Sequence, residues 1–257
     1  MDLQLKEVLD IFHAYGVRYW LDSGTLLHLM RDGYLPEHDE DLDVNIWEEE
    51  LPELLKAFPL LESAGYVINT FFCNGIIFKY NCNLSGKTVS ASRSKQTESF
   101  TEAGNNSAGK QNSSIKEGNR ERVVDINIYR KSNETAVCPM YYFKINPSKK
   151  KTGGRGKGLS GKARELFRGP WKMLQSAVPL QIDIAKLPWR PFLNLGTWQI
   201  PSGFFENITY NEELGAYIPA DWENYLQFRY GNWKKPLRDW VFYRDDGAIS
   251  EKKPRPI

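Results

Sequence analysis

Residues 21–47 read Leu21-Asp-Ser-Gly-Thr-Leu-Leu-His-Leu-Met-Arg-Asp-Gly-Tyr-Leu-Pro-Glu-His-Asp-Glu-Asp-Leu-Asp-Val-Asn-Ile-Trp47, and the end of this stretch decides the fold. Leu42–Trp47 alternates and is β-branched, so it reads as a strand carrying Asp43, Asn45 and Trp47 on one face. Asp41 stands two residues before Asp43 where that strand begins, so both carboxylates share one side, close together. Two such carboxylates repel each other unless a cation lies between them or a proton is shared. An all-oxygen pair selects a hard ion, Mg2+ or Mn2+, which keeps positions for water and substrate phosphates.

Working outward, Ser23 reads as the N-cap of a helix whose buried face is Leu26, Leu27, Leu29 and Met30, and which stops at Gly33. Ser23, Gly24 and Thr25 set backbone N–H groups and the positive helix end where a phosphate can be received. Plain capping by Ser23 is compatible with the same residues. Arg31 either contacts a phosphate or pairs with Asp39. A third carboxylate is needed to hold an ion firmly, and Asp125 is the best candidate. It lies in Val123-Val-Asp-Ile-Asn-Ile128, an alternating strand able to lie beside Asp43. Asp39, in the loop before the first strand, is a fourth contributor. The competing reading makes 37–43 a solvated acidic turn. The apolar strand that follows, the capped helix before it and the matching aspartate on a later strand weigh against that.

The rest of the chain supplies a frame. An apolar stripe over 2–15 predicts a helix closed by Gly16, followed by a short strand over 17–21. A helix is expected over 49–58 with Pro52 in its first turn. Strands over 65–72 and 75–80 are joined by a tight Cys73-Asn74-Gly75 turn, and a further strand covers 122–129. Between them, 83–120 is dominated by Ser, Asn, Gly, Lys, Thr and Gln, and predicts a mobile loop. The aromatic, proline-rich C-terminal third ends in a helix over 219–229. The expected class is α/β (α+β), a mixed sheet flanked by helices. Residues 1–145 form the core; a basic loop and an aromatic-rich helical part over 146–257 pack on it.

Composition narrows the function. With 257 residues, 41% hydrophobic, 26% charged and a net charge of +2, the chain has the profile of a soluble globular protein and not of a nucleic-acid binder. Charge is uneven, acidic over 37–53 and basic over 144–172, which suits a site where metal and polyphosphate meet. Three cysteines give neither a disulfide framework nor CxxC spacing. No signal peptide and no apolar run of about 20 residues is visible, so the expected location is cytoplasmic. The basic segment 149–162 closes over a diphosphate or meets an anionic glycan or lipid surface, including the inner face of the membrane. Gly156-Lys-Gly-Leu-Ser-Gly-Lys-Ala163 nearly spells a P-loop, but Ala163 replaces the magnesium-binding hydroxyl and no buried strand precedes it.

Gly24-Thr-Leu-Leu27, then Arg31, Gly33, Pro36 and a run ending Asp41-Leu-Asp43, resembles the signature of the LicD/fukutin family of phosphotransferases. A second block, Pro219-Ala-Asp-Trp-Glu-Asn-Tyr-Leu-Gln-Phe-Arg-Tyr-Gly-Asn-Trp-Lys-Lys-Pro236, is similar to the family's C-terminal pattern, so the resemblance spans about 17–236. It departs where many members carry Gly at the position of His28 and Trp-Asp at Glu37-His38. The cysteine-rich zinc module of some animal members is absent from 83–120. The resemblance implies a nucleotidyltransferase-like fold, a metal on Asp41, Asp43 and Asp125 with Asp39 at a fourth acidic position, and Mg2+ or Mn2+ as cofactor. It implies transfer of phosphocholine or an alditol phosphate from a CDP-linked donor to a glycan or glycolipid hydroxyl, as in cell-surface polysaccharide modification. Asp125 and His38 are rival general bases. A true nucleotidyltransferase moving NMP, an Asp-X-Asp glycosyltransferase and a non-catalytic glycan-binding relative are the alternatives.

Overall fold

The computed structural model describes residues 2–37, 39–84, 122–143, 178–187, 193–237 and 240–249. The expected loop over 83–120 falls almost wholly outside them, as do His38, the basic segment 149–162 and the near-P-loop.

Helix α1 (Leu3–Ala14) starts where Asp2 Oδ1 accepts the amides of Gln4 and Leu5 at 2.9 and 3.2 Å, and ends before Gly16, which adopts φ +68°. Its stripe of Leu5, Val8, Leu9 and Phe12 is fully buried. Strand β1 (Tyr19–Leu21) is shorter than the expected 17–21. Helix α2 (Ser23–Asp32) is capped at Asp22, one residue earlier than expected, and its first residue Ser23 sits at φ +51°. Strand β2 (Asp41–Trp47) begins at the first of the paired aspartates. A 3-10 turn over Glu48–Glu50 leads into α3 (Leu51–Ser63), which carries Pro52 in its first turn and runs five residues past the expected end. Strands β3 (Tyr66–Cys73) and β4 (Ile76–Leu84) form the expected hairpin, and β5 is Val123–Ser132.

Further strands are β6 (Thr135–Phe143), β7 (Gln181–Asp183), β8 (Leu193–Pro201), β9 (Ile208–Asn211) and β10 (Ala216–Pro219), followed by α4 (Trp222–Tyr230) and α5 (Phe242–Asp245). The described strands build an eight-stranded mixed sheet in the order β1-β2-β5-β4-β3-β7, with β6 pairing β5 and β8 pairing β6; β9 and β10 form a separate ribbon. Among the described residues, only β2–β5 and β3–β7 are parallel pairs. The architecture is thus a central mixed sheet flanked by helices. The 146–257 part adds strands to this sheet: β8 runs antiparallel to β6 along its length.

Register explains why one sheet face is core and the other is not. Leu42, Val44 and Ile46 lie opposite Val124, Ile126 and Ile128, while Cys82 and Ile68 extend the Leu42–Val124 row. These side chains are buried in one cluster with the apolar faces of α1 and α3. Each fully buried Leu or Ile contributes about 1.5–3 kcal/mol of hydrophobic stabilisation. Period-two alternation sends the intervening residues to the opposite face.

Candidate active site

That opposite face is polar from Asp41 to Asn45 and turns aromatic beyond, where Trp20, Trp47 and Tyr129 pack. Crossing the sheet at one level are Asp43, Asp125, Asn81 and Asn69, each the Cα partner of the next. The next level carries Asn45, Asn127, Lys79 and Phe71. Asp41, Val123, Asn83 and Val67 form the level on the other side. The structure therefore brings Asp41, Asp43 and Asp125 onto one face of adjacent parallel strands. Asp41 is the most exposed of the three, Asp43 is half-buried and Asp125 is buried.

Electrostatics mark this face. Burial first, and then the charge of Asp125, pushes the Asp43 carboxyl up to about 8 and the Asp41 carboxyl up to about 7. Burial on its own would lower the Lys79 ammonium, but Asp125, Tyr141 and Asp43 hold it above the ordinary lysine value. Lys79 Nζ donates to Asp125 Oδ2, and Asn81 Nδ2 donates to Asp125 Oδ1 at 2.6 Å. Asn81 Oδ1 in turn accepts from Asn83, and Asn69 Oδ1 accepts the Leu180 amide at 3.0 Å. Among the described residues no three His, Cys, Asp or Glu side chains already converge on a common point as a metal cluster. The donor set nevertheless suits a hard divalent ion. It is all carboxylate oxygen, with Asp125 Oδ2 accepting from Lys79.

The residues assigned to phosphate binding fall around α2. Thr25 is fully buried and its Oγ1 accepts the Asp43 amide at 2.8 Å, tying the helix to β2 directly under the carboxylate. Ser23 Oγ accepts from Arg229 Nη1 at 3.0 Å. A Cβ on Gly24 would stand 3.4 Å from Asp39 Oδ2, which places Asp39 against the start of the helix. Arg31 donates to Asp32 at 2.9 and 2.8 Å, and this pairing holds the Asp32 carboxyl down at about 2. His28 lies between Asp32 and Asp39, with Nε2 4.0 Å from Asp39 Oδ2.

A buried network beneath the site joins it to the C-terminal part. Arg229 on α4 is 2% exposed and donates Nη1 to both oxygens of Asp22 at 3.1 Å and Nε to Asp246 Oδ1 at 3.1 Å. Its guanidinium lies over Trp198 and Tyr230, 5.6 and 5.5 Å from the ring centroids. Asp22 also accepts from Tyr225 Oη and, at 2.6 Å, from Asn45 Nδ2. Asn127 Nδ2 donates to Asn45 Oδ1 at 3.1 Å and to Asp43 Oδ1 at 3.2 Å. A continuous polar path thus runs from Asp246 through Arg229, Asp22, Asn45 and Asn127 to Asp43. Because Asp22 serves this path, its side chain does not cap α2.

Sequence reasoning missed Lys79, Asn127, Asp22 and Arg229. Lys79-Tyr-Asn81-Cys-Asn83 and Asp125-Ile-Asn127 carried a signal, since they repeat the polar period of Asp41-Leu-Asp43-Val-Asn45. Arg229 has one local partner, Tyr225 Oη four residues earlier, but its two carboxylate partners are 207 and 17 residues away.

Comparison with known proteins bears on residues 16–105, which match the model of the LicD/FKTN/FKRP nucleotidyltransferase domain. The chain is also similar to the uncharacterized protein RP689 of Rickettsia prowazekii (strain Madrid E), 31% identical over 65 residues, covering 25% of this chain and 24% of that protein. Uncharacterized protein RT0683 of Rickettsia typhi (strain ATCC VR-144 / Wilmington) is 30% identical over 64 residues, covering 25% of this chain and 21% of that protein. The chain thus spans about a quarter of the length of the curated relatives it matches. The domain match takes in α2, Asp41, Asp43 and Lys79 and stops short of Asp125, and over 16–105 the chain is consistent with the LicD/fukutin family.

Proposed function

We propose that this protein transfers a phospho-substituent, phosphocholine or an alditol phosphate, from a CDP-linked donor to a hydroxyl of a glycan or glycolipid, with Mg2+ or Mn2+ as cofactor. One observation carries the reading: Asp41, Asp43 and Asp125 share one face of two parallel strands, with Asp43 and Asp125 in direct register. Like charges so placed are costly without a cation; the carboxyls of Asp41 and Asp43 are raised by burial first and by the charge of Asp125 second. The donor class comes from the LicD resemblance and the matched domain, since carboxylate geometry alone serves several nucleotide-dependent transfers.

Asp41, Asp43 and Asp125 would hold the ion, with Asp39 approaching from the start of α2. Bound there, the metal supplies neutralisation of the diphosphate and stabilisation of the leaving cytidylate. In the reaction, the acceptor hydroxyl oxygen bonds to the donor's β-phosphorus. The bond from that phosphorus to the bridging oxygen breaks, and CMP leaves with the electron pair. The hydroxyl proton passes to Asp125, through the carboxylate oxygen that does not hold the ion. Thr25 and Asn127 fix Asp43 from its backbone and its side chain, so the reacting face is set before substrate arrives.

Phosphorus NMR of reactions with CDP-choline, CDP-ribitol and CDP-glycerol, a glycan acceptor and Mg2+ tests this. CMP release with a new phosphodiester is the predicted result. Pyrophosphate released from CTP would instead make the protein a nucleotidyltransferase. Binding of glycan that survives Asp41→Ala, with no donor consumed, would make it a non-catalytic relative.

A further inference from the structure

We propose that Lys79 is a donor-phosphate ligand held in reserve: it neutralises Asp125 while the site is empty, and moves to the donor's diphosphate once a divalent ion takes Asp125. The inference rests on the metal reading above. Three observations carry it. Lys79 lies on β4 as the Cα partner of Asn127, so its side chain is on the carboxylate face, diagonal to Asp125. Its side chain is 18% exposed, against 7% for Asp125, so the ammonium reaches the site without being sealed in it. Lys79 Nζ donates a hydrogen bond to Asp125 Oδ2, an oxygen of the trio that a divalent ion would take.

Charge fixes the direction of the exchange. With all three carboxylates ionised, as metal ligation requires, the trio and one ammonium carry −2, which a single divalent ion cancels. After that, Asp125 no longer needs Lys79, and an incoming diphosphate brings fresh negative charge. A lysine suits the transfer because its ammonium is a compact point charge on a flexible four-carbon stem, able to exchange one anionic partner for another. An ordinary structural ion pair would be lost with the fold and would not couple metal affinity to phosphate affinity in opposite senses.

The test uses the full chain with Mn2+, CDP and inorganic pyrophosphate as probes, comparing wild type, Lys79→Met, Lys79→Arg and Asp43→Asn by calorimetry and Mn2+ EPR. Lys79→Met is expected to bind Mn2+ several-fold more tightly, because a competing cation is gone. With Mn2+ present it should bind CDP and pyrophosphate about ten-fold or more weakly, on the scale of a lost charge-assisted contact. Lys79→Arg should restore most of the CDP affinity. Unchanged CDP and pyrophosphate affinity in Lys79→Met, beside normal Mn2+ binding lost in Asp43→Asn, would overturn the role of Lys79 and leave the metal site standing. Wild type that binds no Mn2+ would overturn both readings. A pyrophosphate effect without a CDP effect would support Lys79 and contradict the cytidine donor. If Lys79→Met does not fold, Lys79→Gln, which can still donate to Asp125, is held to the same two affinities.

Discussion

Asp43 and Asp125 stand opposite each other on neighbouring parallel strands, with both carboxylates on the same face of the sheet. Like charges directly opposite destabilise a sheet, so this pair is a cost that the remaining structure must offset. Thr25 and Asn127 hold Asp43, while Lys79 and Asn81 hold Asp125.

Replacing Asp43 by Asn should therefore separate stability from activity. The variant keeps the shape of the side chain and loses the repelled charge, so its Tm at pH 8 in EDTA should equal or exceed that of wild type. If the proposed transfer holds, its rate should fall by about three orders of magnitude, the equivalent of several kcal/mol of lost transition-state stabilisation. A marked drop in Tm would show Asp43 to be a structural residue instead.

The pH dependence follows from the raised carboxyls. Asp43 and Asp41 titrate near 8 and 7 in the folded protein, against the ordinary 3.8. The folded state thus binds more protons than the unfolded state between these limits, and stability is fully present below about pH 4 for these groups. It is lost as pH rises through 7 and 8. Thermal melts in EDTA should show Tm falling from pH 5 to pH 9, with a flatter profile in Asp43→Asn. Mg2+ at pH 8 should recover the loss, and calorimetry in buffers of different ionisation enthalpy should detect proton release on metal binding. A flat wild-type profile would contradict the account.

Arg229 joins two buried carboxylates, Asp22 and Asp246, that have no other cation in hydrogen-bond contact among the described residues. Replacement by Met leaves both charges buried, and removing one partner of such a pair costs about 3–5 kcal/mol. Urea titration should show that loss. Tyr225→Phe removes a hydroxyl that donates to Asp22 and accepts from Arg229, and should cost about 1–3 kcal/mol.

Gly247 docks the C-terminal segment on α4. Its amide donates to Arg229 O at 2.8 Å, and an added Cβ would stand 1.9 Å from Phe228 O. Gly247→Ala must displace the segment and with it Asp246, costing at least the ~1–3 kcal/mol of an overpacked core. Gly203, with open space around it, is the control: Gly203→Ala should change Tm little. Equal melts for the two variants would show that the segment is not anchored as described.

The central strand, its two aspartates and the later strand of Asp125 were legible in the sequence because alternation is a local signal. What alternation could not give was order. That β5 inserts between β2 and β4 is a matter of pairing, and only this pairing sets Lys79 beside Asp125. Strands Thr135–Phe143 and Leu193–Pro201 escaped for a related reason: aromatics and prolines, including Pro139 within the first, obscured the period. Ser23 carried every local mark of an N-cap, yet a partner from α4 claims its hydroxyl and Asp22 takes the cap position. Local chemistry was overridden at a place where the C-terminal part reaches under the site.

The most direct test of the account is a thermal-shift panel of CDP-choline, CDP-ribitol, CDP-glycerol, CTP and CMP, each with and without Mg2+, on wild type and Asp43→Asn. Stabilisation by one CDP-linked donor that requires Mg2+ and disappears in Asp43→Asn is the predicted result, and it names the transferred group. Folded wild-type protein that responds to no cytidine ligand, or responds equally in Asp43→Asn, would contradict a metal-held CDP donor on these carboxylates.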